Sequence, residues 1–345
     1  MTYFVGLDVS KDETAICARD EMGQVVLKAK SPTEPDAIAA CLATLDQPPQ
    51  CVILETGRTS NWLHGALVGL GLRAVCVDAR QAHAILNQMA NKTDANDAAM
   101  LAELARTGFY RQVAVKSRAA QEKRTLLQAR ALMIRQRQDV DNTVRGLLAS
   151  LGLKLPKLRQ RFPDRAAAAV EDRPELQAII QPLLRAREGM VLALARLDRQ
   201  LVQEVRSDPH SRRLMTVPGV GAVTAFAFVA TIDDPSRFRS SRAVGAYLGL
   251  TPRRYQSGER DVSGRISKRG DATMRTLLYE AAMSLITRVR PSAGGPLQAW
   301  AHALRDRVGH KKACVALARR IGVLLHRMWM DGSTFEHRPG QPLPN

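Results

Sequence analysis

Three short β-rich runs open the chain, and the segments after them alternate between helical and strand-like character. Residues 3–9, 14–18 and 25–27 carry the β-branched and aromatic residues that favour strands, with turn-forming Asp20 to Gly23 before the third. They read as a three-strand meander. Residues 36–45 have apolar positions at helical spacing, and Pro48-Pro49 ends that helix. Residues 51–54 form a buried-strand run, 60–70 a helix and 74–77 another strand. Residues 79–104 are largely helical, with an interruption at Lys92-Thr93, where Thr93 is placed to cap a new helix.

Three antiparallel strands followed by helix, strand, helix, strand and helix is the order of an RNase H-like domain. The acidic residues give that order weight. Asp8 and Glu55 each end an apolar strand-like run, and Asp94 and Asp97 stand at i, i+3 on one face of a helix. Four carboxylates that converge repel one another unless a cation is present, and an all-oxygen set suits Mg²⁺ or Mn²⁺. Such ions polarise phosphodiesters. For Asp94 alone, a plain turn or cap role is the better reading; for the four together, the metal site is.

Charge distribution points to a polyphosphate partner. The net charge is +18, but residues 1–110 hold 9 Lys/Arg against 13 Asp/Glu (net −4), leaving 42 against 20 (net +22) for residues 111–345. A basic surface of that size binds nucleic acid by releasing condensed counterions. No apolar run reaches the roughly 18–20 residues that span a bilayer. The N-terminus has no charged n-region and reads as no secretory signal. Five scattered cysteines without a C-x-x-C read as buried hydrophobes in a reducing compartment.

Beyond residue 110 the texture changes. Leu126, Met133, Val140 and Leu147 recur every seven residues, as do Leu183, Met190 and Leu197, with Leu194 and Leu201 as a second seam. Two long helices in an antiparallel hairpin or coiled coil are expected, separated by a stretch that Pro156, Pro163 and Pro174 break. Val217-Pro218-Gly219-Val220-Gly221 opens an Ala/Val/Phe-rich helix, and the backbone N–H groups at Gly219 and Gly221 are placed to hold a phosphate, as in helix-hairpin-helix modules. A lone P-G-x-G is more often a plain turn. Residues 250–270 are rich in Gly, Ser and Arg and read as an exposed cationic loop, where Arg253, Arg254, Arg260, Arg265, Lys268 and Arg269 can neutralise phosphate oxygens. Ser257, Ser263, Ser267 and Tyr255 are candidate nucleophiles there. No histidine lies near in sequence, so a metal in trans is the favoured activator. On chemistry alone, a phosphate-gripping loop without a covalent role stands slightly ahead. Residues 298–330 return to amphipathic helix, and a disordered tail is expected from Gly332.

Taken together, Gly6-Leu7-Asp8-Val9-Ser10-Lys11, Glu55-Thr56-Gly57, Lys92 to Ala98, Val217 to Gly221 and Leu248 through Gly270 resemble the IS110 family of insertion-sequence transposases, to which the Piv-type DNA invertases are related. The resemblance covers most of the chain in order. It implies a RuvC-like domain over 1–110 with an Asp-Glu-Asp-Asp metal site on Asp8, Glu55, Asp94 and Asp97, holding Mg²⁺ (or Mn²⁺). It implies a coiled-coil oligomerisation and nucleic-acid-contacting region over 111–206, and a mostly helical transposase domain over 207–331 with a nucleophilic serine at Ser257. A tail over 332–345 completes this α/β plus α architecture. The implied activity is DNA recombination through a phosphoserine link. The implied partners are donor and target DNA, a structured non-coding guide RNA and a homo-oligomer (dimer or tetramer), with no membrane. The implied setting is the bacterial cytoplasm, in association with the nucleoid. Competing readings are an invertase without guide RNA, a RuvC-like nuclease, and a non-enzymatic nucleic-acid-binding protein.

Overall fold

In a computed structural model, residues 1–79, 93–156, 161–258 and 260–335 are described. The chain divides into two compact units, Met1–Lys116 and Ser117–Asn345.

The first unit is built on β1 (Phe4–Val9), β2 (Glu13–Arg19), β3 (Val25–Pro32), β4 (Cys51–Glu55) and β5 (Ala74–Val77), in the order β3-β2-β1-β4-β5. β1, β2 and β3 pair antiparallel, while β1–β4 and β4–β5 pair parallel. Strand alternation sorts the side chains onto two faces. Val5, Leu7, Val52 and Leu54 join Ile38 and Leu42 of α1 (Pro35–Leu42) and Leu63 and Leu67 of α2 (Ser60–Gly69) in one core. The other face is covered by α3 (Asp94–Thr107): Leu101, Leu104 and Ala105 pack with Cys51, Ile53 and Val77. Residues 111–113 return along β5, with Val113 N–H donating to the Cys76 carbonyl at 2.8 Å, so that edge is not left open. The expected helix over 79–104 is seen from Asp94 onward; residues 80–92 lie outside the described residues.

The second unit is helical. Its long helices are α4 (Arg118–Ser150) and α6 (Pro174–Ser207), with α5 (Phe162–Ala168) between them. Lys123 pairs with Asp208, Arg130 with Asp198 and Asp141 with Arg187, so partner numbers fall as the first rise and the two helices run antiparallel. The expected seven-residue seam holds at Leu126 but not at Leu147, which is exposed while Val144 and Leu148 are buried. A straight helix has 3.6 residues per turn and drifts about 20° per heptad, which after three heptads hands the seam to Leu148.

Beyond them come α7 (Pro209–Leu214), α8 (Ala222–Ile232), α9 (Ser241–Tyr247), α10 (Ala272–Thr287), α11 (Pro291–Val308) and α12 (His310–Asp331). α8 is buried from Thr224 to Ile232, as a helix apolar on all sides must be. It shares a core with Leu278 and Leu285 of α10 and Leu317, Ile321 and Leu325 of α12. Two expectations change here. The cationic stretch is not a loop but a two-stranded hairpin, β6 (Pro252–Ser257) and β7 (Arg260–Ile266). The tail expected to be free from Gly332 is held at Phe335, whose N–H donates to Thr216 Oγ1 at 2.9 Å and whose ring packs on the core, while residues 336–345 lie outside the described residues. Among the described residues, no helix is long and apolar enough to cross a membrane.

Candidate active site

Asp8 and Glu55 stand side by side on parallel strands. The register pairs Leu7 with Leu54, so Asp8 and Glu55 are the next residues and share the face opposite those leucines, the face that α3 covers. Gly6 sets how close α3 comes. A Cβ there would lie 2.7 Å from Leu101 Cβ, and closer still to the Ala98 carbonyl oxygen and the Ala102 nitrogen. Only a residue without a side chain allows that approach.

From this crossing, α3 runs antiparallel to β1. Near its C-terminus, Glu103 pairs with Arg19, and Arg106 donates to the Glu21 carbonyl, beside the start of β1, where Phe4 pairs with Arg19. Its N-terminal turn therefore lies towards the end of β1, where Asp8 stands. Thr93 starts that turn, its hydroxyl accepting from Asn96 N–H at 3.2 Å. Carboxylates in a first turn also suit the helix dipole. Asp94 is exposed, whereas Asp97 is only 7% exposed and forms no salt bridge among the described residues. Lys30 follows Asp8 and Ala15 across the sheet register. Its pKa is raised first by the 2.6 Å ion pair with Glu13 and further by the charge of Asp94.

As a donor set these acids fit a hard divalent ion: all are oxygen ligands, and buried Asp97 has no cationic partner among the described residues. They are not yet gathered. Among the described residues, no three His, Cys, Asp or Glu side chains are grouped to hold a metal. Two carboxylates brought to 4 Å repel by about 4 kcal/mol at an effective dielectric near 20, so drawing four together requires a cation.

Ser257 ends β6 and is exposed at the hairpin tip, directly across the register from Arg260. Cross-strand partners share a face with Cβ atoms roughly 5 Å apart, so a phosphate at Ser257 lies within reach of the Arg260 guanidinium. Arg254 is on the other face and already engaged, donating to both carboxylate oxygens of Asp261 at 2.8 and 2.7 Å. That pairing raises the pKa of Arg254 and lowers that of Asp261. Arg253, Arg265, Lys268 and Arg269 are all exposed. Ser263 and Ser267 lie farther from the tip, Ser263 opposite Arg254. The glycines differ from one another. Gly219 has φ +87°, and a Cβ there would meet the Ala281 carbonyl at 2.5 Å, so its local role is close packing on α10. Gly221 is exposed and is the N-cap of α8, with no side chain capping the first turn.

Two family profiles match, one over residues 211–296 described as "Transposase IS116/IS110/IS902 family", the other a DEDD-type IS110 transposase over residues 5–152. A probable family 20 transposase of Pseudomonas aeruginosa is 35% identical over 258 residues, covering 72% of this chain and 75% of the relative. The chain belongs to the IS110 family of insertion-sequence transposases. Within the family it is also similar to the transposase of insertion sequence element IS1111A from Coxiella burnetii, 29% identical over 92% of this chain and 86% of that one. The transposase of element IS1328 from Yersinia enterocolitica is 24% identical over 96% of this transposase and 98% of its own length.

In this transposase the DEDD-type match spans all four acids, and the second match spans Gly219, Gly221 and the whole Ser257 hairpin. Sequence reasoning misses one group of residues: Lys312, Arg319 and Arg327 fall on one face of α12 beside Trp300. Their spacing of seven and eight residues is the signal that could have found them.

Proposed function

We propose that this insertion-sequence transposase cuts and rejoins DNA strands through a phosphoserine formed at Ser257, with a divalent metal held by Asp8, Glu55, Asp94 and Asp97. The observation that carries the reading is the placement of Ser257 at the exposed tip of a cationic hairpin, in register with Arg260. There its Oγ is open to a strand approaching from solvent, and Arg260 faces the charge that grows on the phosphate oxygens. The Oγ–phosphorus bond replaces one phosphorus–oxygen bond of the strand. Attack by a strand hydroxyl then restores the phosphodiester, so the bond energy is conserved and no ATP is needed.

The sheet order β3-β2-β1-β4-β5, three strands antiparallel and then two parallel, supports an RNase H-like (RuvC-like) domain. When bound, Mg²⁺ or Mn²⁺ would neutralise phosphate oxygens and favour the alkoxide form of an attacking hydroxyl. Asp8 and Glu55 sit on the sheet, and Asp94 and Asp97 on a capped helix, so packing sets the backbone positions from which their side chains would turn towards a bound ion. The basic second unit supports binding of donor and target DNA. The same reading includes a structured non-coding guide RNA, a dimer or tetramer, and a role for the 111–206 helices in assembly.

The test is strand cleavage by purified protein with Mg²⁺. Ser257→Ala should abolish both cleavage and the covalent adduct, while Asp97→Asn should abolish cleavage and leave DNA binding intact. A Ser257→Ala protein that still cleaves would instead mark a RuvC-like hydrolase.

A further inference from the structure

The hairpin that carries Ser257 also lines a groove of about 1210 Å³ within the second unit. That is larger than the roughly 300–1,000 Å³ of pockets that enclose small molecules. Of its nineteen lining residues, eight are Lys or Arg and none is Asp or Glu. β7 contributes Ser263 to Ile266, and α12 contributes cations along one face. Between the charges the lining is apolar, with Leu250, Leu297, Val315 and Val323 beside Trp300.

Trp300 and Arg320 form a stack, with the guanidinium 4.5 Å from the ring centroid. Burial lowers the pKa of Arg320. A cation with part of its hydration removed gains more from meeting an anion than an exposed one does.

The lining discriminates between occupants. An apolar protein helix would satisfy the leucines and valines but desolvate eight cations without partners. A DNA duplex offers phosphates but keeps its base faces inside, leaving Trp300 and the apolar lining unmatched. An unpaired strand offers both, phosphates for the cations and flat base faces for the aromatic and guanidinium stack. The choice of DNA over RNA rests on the reading of Ser257 as the site of strand cutting, since the strand next to the cut continues past β7.

We propose that this groove binds an unpaired DNA strand, with one base adding to the Trp300–Arg320 stack and Lys311, Lys312 and Arg319 holding phosphates. Its lining includes neither Ser257 nor any of the four carboxylates.

The test uses full-length Ser257→Ala protein, which keeps the strand uncut, and a fluorescent oligothymidylate. Arg320→Ala and Trp300→Leu should each weaken binding about tenfold or more. Lys311→Gln with Lys312→Gln should flatten the salt dependence by about 1.4 in slope, at about 0.7 for each phosphate no longer neutralised. Iododeoxyuridine in the strand should photocrosslink within residues 297–327, a readout that holds even if Trp300→Leu fails to fold. Unchanged affinity in the Arg320 variant, crosslinks elsewhere, or equal competition by duplex DNA or oligouridylate would overturn the proposal. A Ser257 adduct in the wild type without groove crosslinks sinks the groove alone. Groove crosslinks without an adduct sink the Ser257 reading alone.

Discussion

Replacing Gly6 with alanine tests how the sheet and α3 bring the carboxylates to one end. The added methyl would overlap the backbone at Ala98 and Ala102 and come within 2.7 Å of Leu101 Cβ. Helix backbone cannot rotate aside as a flexible side chain can, so α3 must lift from β1. Overpacking of a tight core costs roughly 1–3 kcal/mol, and two backbone clashes place this change at about 3. Each 1.4 kcal/mol is a factor of ten, so amide exchange in β1 and α3 should accelerate on the order of 100-fold in the full-length protein. Hydrogen exchange read by mass spectrometry isolates those peptides from the second unit. The same lift carries Asp94 and Asp97 away from Asp8, so Mg²⁺-dependent cleavage should fall with it. Gly57→Ala is the control, because a Cβ there meets nothing within 4 Å, and its effect should stay within about 0.5 kcal/mol. If Gly6→Ala keeps wild-type protection in β1 and α3, the close crossing is not what positions the acids.

Other perturbations act on individual hydrogen bonds and ion pairs. Thr93→Ala removes the cap of α3 and should cost about 1 kcal/mol in denaturant unfolding of the first unit, with wild-type stability as the contrary result. His326 is buried between Ser241 Oγ and the Pro235 carbonyl, 2.9 Å from each. Burial first, and Arg237 next, depress its pKa, with the Pro235 bond opposing them. The unfolded chain therefore binds a proton first: stability should be full above pH of about 6.5 and fall as pH drops below it. His326→Asn should remove that slope, and an unchanged slope would assign it to another group. Asp261→Asn frees Arg254 from its ion pair and should steepen the salt dependence of DNA binding by up to about 0.9. An unchanged slope would mean that Arg254 makes no phosphate contact.

Much of the first unit is legible in the sequence because its strands alternate or run fully apolar between clear turn signals, and Thr93 announces the start of α3. What sequence does not show is why Gly6 must be glycine, since that depends on a helix arriving from more than ninety residues away. The hairpin reads as a loop because every residue of β6 is exposed, leaving no buried face to impose alternation. It is the pairing across the Gly258 turn, with Tyr255 opposite Val262, that makes it a strand pair. The long helices are visible in their apolar spacing, but a strict heptad carries the seam past the point where 3.6-residue geometry moves it to Leu148. The acids are visible as residue types, and the sheet register explains why Asp8 and Glu55 are neighbours.

The most direct measurement is the covalent link itself. Full-length protein is incubated with Mg²⁺ and its DNA, the complex is digested with nuclease and protease, and the peptide spanning β6 and β7 is sequenced by mass spectrometry. The account predicts a nucleotide attached through phosphate to Ser257, absent in Ser257→Ala and absent when the metal is chelated. Cleaved DNA with no adduct, or an adduct on Ser263, Ser267 or Tyr255, would contradict it.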